Sequence, residues 1–479
     1  MSKTEIPDPA LYTDLYQLTM GQGYFRTGRH EKNAHFDFFF RKAPFGGEFV
    51  VFAGLADLLE VLERFRFTED EIAWLRGNGF GDEFCDHLAG YTFNGSITSV
   101  REGEVVFPGE PVLTVSGSLL SCQLVETLLL NILNFQSLIA TKARRLRLAA
   151  GECKLVDFGL RRGQGTGSIA ASRAAAIGGF DATSNVLAGK RYDLPVSGTM
   201  AHSWIQCFDS ELEAFRTYAR LYPDSSILLV DTYDTIGSGL PNAITVAREL
   251  EQQGHRLIGI RLDSGNPLTL SRKARTMLDD AGMDYVTIAV SDQLDEERIT
   301  ELRENNAPVD VFGVGTRLIT GYPDGALSGV YKICDLDGHP TMKYTDEASK
   351  SSLPGIKDIE RESGNDGQFA RDVIRLEDPR GNRGSGRKAT NGPGAGKNAG
   401  PVSGKSGKDA TGRTVEHIRS IVFENGRTRE HTADIAEISK FSSSRIDRLP
   451  DRIKRLNRPE RYDIALDKPL LSLIEKLKP

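Results

Sequence analysis

The sequence predicts an α/β protein: an irregular β/α barrel, preceded by a small strand-rich N-terminal domain and followed by a small appended C-terminal unit. Residues 151–355 alternate short apolar runs with helix-like segments, as expected of a parallel sheet buried on both faces. Residues 1–150 instead contain short β segments broken by Gly and Pro, followed by a long apolar helical stretch. We therefore expect an N-terminal α+β domain over 1–150 and a barrel domain over 151–355.

The N-terminal elements follow from local composition. Thr13 is predicted to be the N-cap of a first helix. Residues 35–41 predict a strand by their aromatic run, residues 50–53 a second strand, and Gly54 the start of a helix. The stretch 119–148 is strongly apolar, but polar and basic residues interrupt it. It therefore predicts one or two core helices and not a membrane span.

The barrel strands are predicted where apolar runs end in polar side chains. The runs are 154–157, 195–198, 226–231, 257–261, 285–291 and 309–315, with helices between them at segments such as 242–253 and 295–305. The residues at or beyond their ends are Asp157 with Arg161, Thr199 with His202, Asp231 with Asp234, Arg261 with Asp263, Ser291 with Asp292, and Gly315 with Thr316. Each could be a helix N-cap. Because the strand ends of a barrel converge on one mouth, six such ends favour an active site there.

Composition limits the class of protein. At 479 residues, with 39% apolar and 26% charged residues, the chain is typical of a soluble globular protein of two or three domains. Its net charge of −6 argues against non-specific nucleic-acid binding, which needs a basic surface. Its five cysteines are far apart and form no CxxC pair, which favours free thiols in a reducing compartment. With no apolar signal segment and no membrane span, we expect a cytoplasmic protein.

The segment 380–413 differs from the rest of the chain. It contains ten Gly and eight basic residues against one Asp, and it has no Leu, Ile, Phe, Tyr or Trp. Such a composition predicts a disordered, surface-exposed insertion, because too little apolar surface is available to offset the entropy of ordering. Residues 399–406 nearly match a phosphate-binding P-loop, but neither a strand before them nor a helix after them is predicted, so we reject that interpretation. Residues 356–379 and 414–479 are predicted to form the C-terminal unit.

The candidate residues also have a shared chemistry. Arg161 and Arg162 precede a Gly-rich segment, which is either a flexible loop or an anion site. His202 is either a core histidine or a base or nucleophile. Asp231 and Asp263 are either helix caps or ligands of sugar hydroxyls or Mg²⁺. Together with the phosphate pocket predicted at 313–316, they suit a phosphorylated sugar and a metal.

A series of motifs resembles the nicotinate phosphoribosyltransferase family. In order, they are TDLYQ at 13–17, FFR at 39–41, PFGG at 44–47, GLRR at 159–162, GGFDATSN at 178–185, GTMAHS at 198–203, DTYD at 231–234, RLDSG at 261–265 and GVGT at 313–316. They keep the family's order and run to about residue 354, roughly three quarters of the chain. The insertion at 380–413 has no counterpart in this pattern.

The resemblance implies a reaction and a set of partners. Nicotinate and phosphoribosyl pyrophosphate would give nicotinate mononucleotide and pyrophosphate in NAD salvage, coupled to ATP hydrolysis, with Mg²⁺ as cofactor. His202 would be the histidine that ATP phosphorylates. The family's homodimer implies shared active sites, with Tyr16 reaching into the neighbouring subunit's site, although a tyrosine that opens a helix is commonly a packing residue.

The resemblance also assigns the remaining site residues. Nicotinate contacts are implied for Tyr16, Phe158, Ser184, Thr199 and Arg261; phosphoribosyl pyrophosphate contacts for Arg161, Gly315 and Thr316; and ribose and Mg²⁺ contacts, with a catalytic role, for Asp231 and Asp263. Ser184 aligns with an Asp of the nicotinamide-using relatives, and an uncharged donor there favours nicotinate. The alternatives are a phosphoribosyltransferase for another pyridine such as nicotinamide, and a catalytically idle nucleotide-binding relative.

Overall fold

Two units make up the fold in the computed structural model, which describes residues 6, 9–345, 351–377, 406–408, 413–429 and 433–478. The first unit combines residues 1–138 with 326–479, and the second contains residues 139–325. The boundaries predicted at 150 and 355 therefore differ from those of the structure. Among the described residues, no helix has both the length and the hydrophobicity needed to cross a membrane.

The N-terminal part of the first unit is rich in short strands. Its elements, with the helix that continues into the second unit, are α1 (Leu15–Arg26), β1 (Asn33–Phe40), β2 (Val50–Val51), α2 (Leu55–Glu63), α3 (Glu69–Gly77), α4 (Asp82–Ala89), β3 (Ser96–Val100), β4 (Val105–Val106), β5 (Leu113–Ser118), α5 (Leu119–Leu124) and α6 (Glu126–Ala150). The stretch 119–148, predicted to form one or two core helices, forms two. The predicted N-cap is wrong by one residue, because Asp14 has the extended backbone of a cap and Leu15 begins the helix.

The second unit alternates strands and helices. Its elements are β6 (Lys154–Asp157), a 3-10 turn (Leu160–Arg162), α7 (Gly167–Ile177), β7 (Ala182–Thr183), α8 (Val186–Tyr192), α9 (His202–Gln206), α10 (Glu211–Leu221), β8 (Ile227–Leu229), a π-helical turn (Thr235–Gly239), α11 (Leu240–Gln252), β9 (Gly259–Leu262), α12 (Pro267–Asp280), β10 (Thr287–Ser291), α13 (Glu296–Glu304), β11 (Val311–Val314) and α14 (Thr316–Ile319).

These strands form one parallel sheet in the order β7-β6-β11-β10-β9-β8. All residues of 139–325 are described, and within them the edge strands β7 and β8 do not pair with each other. The sheet is therefore an incomplete barrel, which confirms the predicted irregular β/α barrel. One predicted strand is wrong: segment 195–198 makes only a single bridge, from Val196 to Thr183, because Pro195 has no N–H to donate and the segment is largely exposed.

The C-terminal part of the first unit contains β12 (Gly329–Leu336), β13 (His339–Pro340), β14 (Lys357–Ser363), β15 (Phe369–Leu376), β16 (Ser406–Lys408), β17 (Thr414–His417), β18 (Arg419–Glu424), β19 (Arg427–Thr428), α15 (Ile435–Asp447), α16 (Asp451–Lys454), β20 (Ile464–Leu466) and α17 (Lys468–Leu477). Five of these strands form a sheet in the order β16-β17-β14-β15-β20. Within the segment predicted to be disordered, Ser406–Lys408 pairs with β17, so the prediction is wrong for these residues. Residues 380–405 and 409–412 lie outside the described residues.

The C-terminal residues are joined to the N-terminal part, and not merely appended. A seven-stranded sheet has the order β13-β12-β1-β5-β3-β18-β19, so the three N-terminal strands in its centre are flanked on both sides by strands from the C-terminal part. A buried ion cluster makes the same connection: Arg361 donates to Glu104 and to Asp372, each at 2.6 Å, and Arg445 donates to Glu104 at 2.8 Å. Strand β12, which lies within the predicted barrel range, pairs with β1 in this sheet and belongs to the first unit.

Candidate active site

Arg261 is the centre of a polar cluster at the carboxyl end of the parallel sheet. Its Nε donates to Ser291 Oγ at 2.9 Å, its Nη1 to Thr199 Oγ1 at 2.9 Å, and its Nη2 to Asp263 Oδ1 at 2.6 Å. The guanidinium carbon lies 5.2 Å from the centre of the Phe158 ring. A guanidinium has five N–H donors. Three partners therefore hold this side chain in place, and two N–H groups remain for a ligand.

Asp263 is ionised by its surroundings. Burial opposes the charge, but the hydrogen bond from Ser291 and the positive charge of Arg261 outweigh it and lower the pKa of the carboxyl. Its Oδ1 accepts from both of these side chains, whereas Oδ2 faces His202. A fixed negative charge therefore lies between the guanidinium and the imidazole.

Asp231 follows β8, and only one of its two carboxylate oxygens accepts hydrogen bonds from described residues. Its Oδ2 accepts from the backbone N–H of Asp263 at 2.8 Å and from Ser264 Oγ at 2.7 Å. Its Oδ1 is buried and has no hydrogen-bond partner among the described residues. An unpaired buried carboxylate oxygen is costly, and Mg²⁺ prefers such oxygens as ligands. Asp231 and Asp263 therefore fit a magnesium ion, and their binding of it stays a prediction.

His202 is the first residue of α9 and is held from two sides. Its Nδ1 lies 3.0 Å from Thr232 Oγ1, and its Nε2 lies 3.7 Å from Asp263 Oδ2. The imidazole is 39% exposed, so it is not a core histidine. If Nδ1 carries the proton and donates a hydrogen bond to Thr232, Nε2 keeps its lone pair. A nucleophile or base requires this tautomer.

Phe158, directly after β6, depends on the glycines of the GVGT motif. A Cβ on Gly313 would lie 2.4 Å from the Phe158 ring, and one on Gly315 would lie 3.2 Å from the Phe158 carbonyl oxygen. Only residues without side chains allow this ring to lie against β11. Ser184 follows β7, the neighbour of β6, and its backbone N–H donates to the Asp157 carbonyl at 2.8 Å.

The two turns predicted to contact phosphate are neighbours. Arg161 and the adjacent arginine of the turn Leu160–Arg162 are exposed, and the side chain of neither forms a hydrogen bond or ion pair with a described residue. A Cβ on Gly159 would lie 2.7 Å from Ile319 of α14. Because α14 begins at Thr316, the free guanidinium groups and the start of this helix belong to one region of the surface.

Not every predicted residue joins the cluster. Asp157 is buried and structural: it accepts hydrogen bonds from the Gly159 N–H and from the hydroxyls of Ser172 and Thr183. Asp234 caps the π-helical turn through the N–H groups that follow it, as the helix-cap interpretation predicts. Tyr16 lies on α1 of the first unit with 47% of its surface exposed, and its contact with nicotinate stays a prediction.

Two contributors escaped the sequence analysis. Thr232 approaches Nδ1 of His202, and Ser264 donates to Asp231. Both directly follow a strand-end residue that had been identified, Asp231 and Asp263 respectively. In the sequence, the feature that could have identified them is a hydroxyl residue directly after each aspartate. Such a residue is equally common in an ordinary turn.

Sequence models of one family match most of the chain. They are the N-terminal domain of nicotinate phosphoribosyltransferase (NAPRTase) at residues 11–134, the nicotinate phosphoribosyltransferase (NAPRTase) family at 153–373, and the nicotinate phosphoribosyltransferase C-terminal domain at 356–474. All of the clustered site residues lie within the second match.

Individual proteins agree with these matches. The chain is 40% identical over 466 residues to nicotinate phosphoribosyltransferase of Bacillus subtilis (strain 168), covering 95% of this chain and 92% of the relative. It is 34% identical over 529 residues to the Homo sapiens protein of the same name, covering 98% of this chain and 96% of the human protein.

Solved structures agree as well. The crystal structure of human nicotinic acid phosphoribosyltransferase matches with a TM-score of 0.82 and 32% identity over 97% of this chain and 100% of that chain. Nicotinate-nucleotide pyrophosphorylase from Pyrococcus furiosus, at 22% identity and a TM-score of 0.71, covers 93% of this chain and 97% of its own and shares the fold. From the sequence and structural matches together, we conclude that the chain belongs to the nicotinate phosphoribosyltransferase family.

Proposed function

We propose that the protein transfers the phosphoribosyl group of phosphoribosyl pyrophosphate to nicotinate, coupled to ATP hydrolysis through a phosphohistidine, as a step of NAD salvage in the cytoplasm. One observation carries the proposal: Arg261, Asp263, Asp231 and His202 lie in one connected cluster at the carboxyl end of the sheet. Names of relatives at 34–40% identity over nearly the whole chain support the substrate. The five free cysteines support a reducing compartment.

The transfer step needs charges of both signs. The pyridine nitrogen of nicotinate attacks the anomeric carbon, the bond from that carbon to pyrophosphate breaks, and the sugar passes through an oxocarbenium-like state. The carboxylates of Asp231 and Asp263 favour this cation. The two free N–H groups of Arg261 suit the carboxylate of nicotinate beside the Phe158 ring. Mg²⁺ bound by Asp231 and Asp263 would neutralise the departing pyrophosphate.

The same turns would hold the phosphoribosyl end. Arg161 has no partner in the described part of the chain, so its guanidinium is available for phosphate oxygens. Gly315 and Thr316 begin the neighbouring turn, where a hydroxyl and backbone N–H groups can donate to phosphate. This arrangement would fix the sugar so that its anomeric carbon points to the cluster.

His202 would couple the reaction to ATP. Its Nε2 attacks the γ-phosphorus, the bond to the β-phosphate oxygen breaks, and ADP leaves. Water later hydrolyses the N–P bond and releases phosphate. Thr232 would accept a hydrogen bond from the Nδ1–H group and so leave the lone pair of Nε2 free to act as the nucleophile. The phosphoryl group adds about two negative charges, which sit next to Asp263 and therefore change the charge balance of the site.

A substrate assay tests the proposal. With phosphoribosyl pyrophosphate and Mg²⁺, we expect the purified full-length protein to make nicotinate mononucleotide and to make more of it with ATP. Nicotinamide should be used about 10- to 100-fold less well, because it lacks the charge that Arg261 pairs with. Product from nicotinamide alone would support the alternative pyridine and refute the role of Ser184. Tight binding of phosphoribosyl pyrophosphate without any product would indicate an idle relative.

We further propose a homodimer in which Tyr16 completes the neighbouring subunit's site. Exposure of Tyr16 on α1 supports this. Mixing Tyr16→Ala with His202→Ala should then restore ATP-coupled activity above that of either variant alone, since one site of a mixed dimer would have both residues. Activity no higher than the average of the two variants would contradict a shared site, and Tyr12→Ala mixed with His202→Ala is the matched control.

A further inference from the structure

Two histidines and a glutamate form a cluster in the first unit. His30 and Glu31 lie in the turn between α1 and β1, and His87 lies in the last turn of α4. One donor atom from each lies within 4.8 Å of the donor atoms of the other two. None of these residues belongs to the proposed active site.

Among the described residues, the two imidazoles have packing partners and no hydrogen-bond partners. The ring of Phe25 lies 4.9 Å from that of His30 and 5.1 Å from that of His87, and the two imidazole centres are 5.3 Å apart. Nδ1 of His30 is buried and has no hydrogen-bond partner in the described part of the chain. Buried polar groups are usually paired, so this ring has a bonding capacity that the protein leaves unused.

We propose that His30, Glu31 and His87 bind a divalent transition-metal ion, Zn²⁺ in particular. Two imidazoles and one carboxylate are ligands that Zn²⁺ takes in tetrahedral sites, with water in the fourth position. Mg²⁺ and Ca²⁺ instead require oxygen ligands. The ion would connect the turn after α1 to the end of α4.

The spacing of one donor pair is close to the spacing that such an ion requires. Ligands about 2.1 Å from a tetrahedral centre stand about 3.4 Å apart. His30 Nε2 and Glu31 Oε1 are 3.6 Å apart, and the Glu31 side chain is 72% exposed and free to rotate.

Titration calorimetry of the full-length protein with Zn²⁺, in excess Mg²⁺ to occupy the carboxylates of the active site, tests the proposal. One Zn²⁺ per chain should bind to the wild type. His30→Ala and His87→Ala should each weaken this binding by more than about tenfold. Loss of a residue that only hydrogen-bonds to a metal ligand already costs about tenfold, and loss of the ligand itself should cost more. His339→Ala, an exposed histidine of the same unit, is the matched control and should bind as the wild type does.

A second readout covers variants that fold poorly. Zn²⁺ should raise the thermal midpoint of the wild type and of His339→Ala, since a ligand of the native state stabilises it, but should not raise that of His87→Gln. The proposal is overturned if the wild type binds no Zn²⁺, or if His30→Ala, His87→Ala and His87→Gln keep both the wild-type affinity and the thermal shift.

Discussion

His202→Ala should abolish the stimulation of product formation by ATP while leaving a slower, uncoupled transfer from phosphoribosyl pyrophosphate to nicotinate. The variant keeps Arg261, Asp263 and Asp231, which act on the transfer step, but it removes the nitrogen that would accept the phosphoryl group. We expect ATP hydrolysis to fall by about 10²- to 10⁴-fold, the usual contribution of a group that acts directly in the chemical step. ADP and nicotinate mononucleotide should be measured in the same reaction.

The matched control is His255→Ala. His255 lies in the same unit, and its Nδ1 is 2.7 Å from Asp224 Oδ1, so this change also removes an imidazole beside a carboxylate. His255 has no contact with the cluster around Arg261, so coupling should be unchanged. An acid-labile phosphoryl label from ATP should appear on the wild type and on His255→Ala only. Undiminished ATP-driven yield in His202→Ala would eliminate the phosphohistidine.

The parallel sheet was predictable because its signal is local. The runs at 154–157, 257–261 and 309–315 correspond to β6, β9 and β11 with shifts of at most two residues at either end, since each is a continuous apolar segment bounded by polar residues. Their polar ends then point to the same edge of the sheet. This is why Arg261 and Asp263 could be placed in a candidate site before any contact was known.

Contacts between distant parts of the chain were not predictable in this way. Strand β18 pairs with β3, and β12 pairs with β1, across more than 280 residues, and nothing in the composition of either strand identifies its partner. For this reason the predicted domain boundaries at 150 and 355 differ from the boundaries in the structure. The same limit applies to Asp157, whose position at a strand end resembles that of Asp231. Only the structure shows that three hydrogen bonds occupy Asp157 whereas Asp231 keeps a free oxygen.

Arg261→Lys should lower kcat/KM for nicotinate by about 10²- to 10⁴-fold. Lysine keeps the charge but has a compact ammonium instead of a planar fork, so it cannot donate to Ser291, Thr199 and Asp263 together. Loss of two hydrogen bonds that involve a charged group costs about 1.5–3 kcal/mol each, which corresponds to the expected range. Arg216→Lys, which alters an exposed pair with Glu249 in the same unit, is the matched control and should change kcat/KM by less than about threefold.

Ser291→Ala separates the positioning of Arg261 from its charge. Ser291 accepts from Arg261 and donates to Asp263, so the variant removes one bond to each and leaves both charges in place. The loss should be smaller than that of Arg261→Lys, about 5- to 100-fold, because the two lost hydrogen bonds contribute about 0.5–1.5 kcal/mol each while Arg261 and Asp263 stay paired with each other. Because the Ser291 hydroxyl helps to hold the pKa of Asp263 down, its removal raises that pKa, and the acid limb of the kcat/KM profile should move to higher pH. The assignment would be contradicted if Arg261→Lys kept the wild-type kcat/KM, or if the acid limb of the Ser291→Ala profile stayed at the wild-type pH. This cluster would then only support the sheet edge, and the chemistry would have to be assigned to other residues.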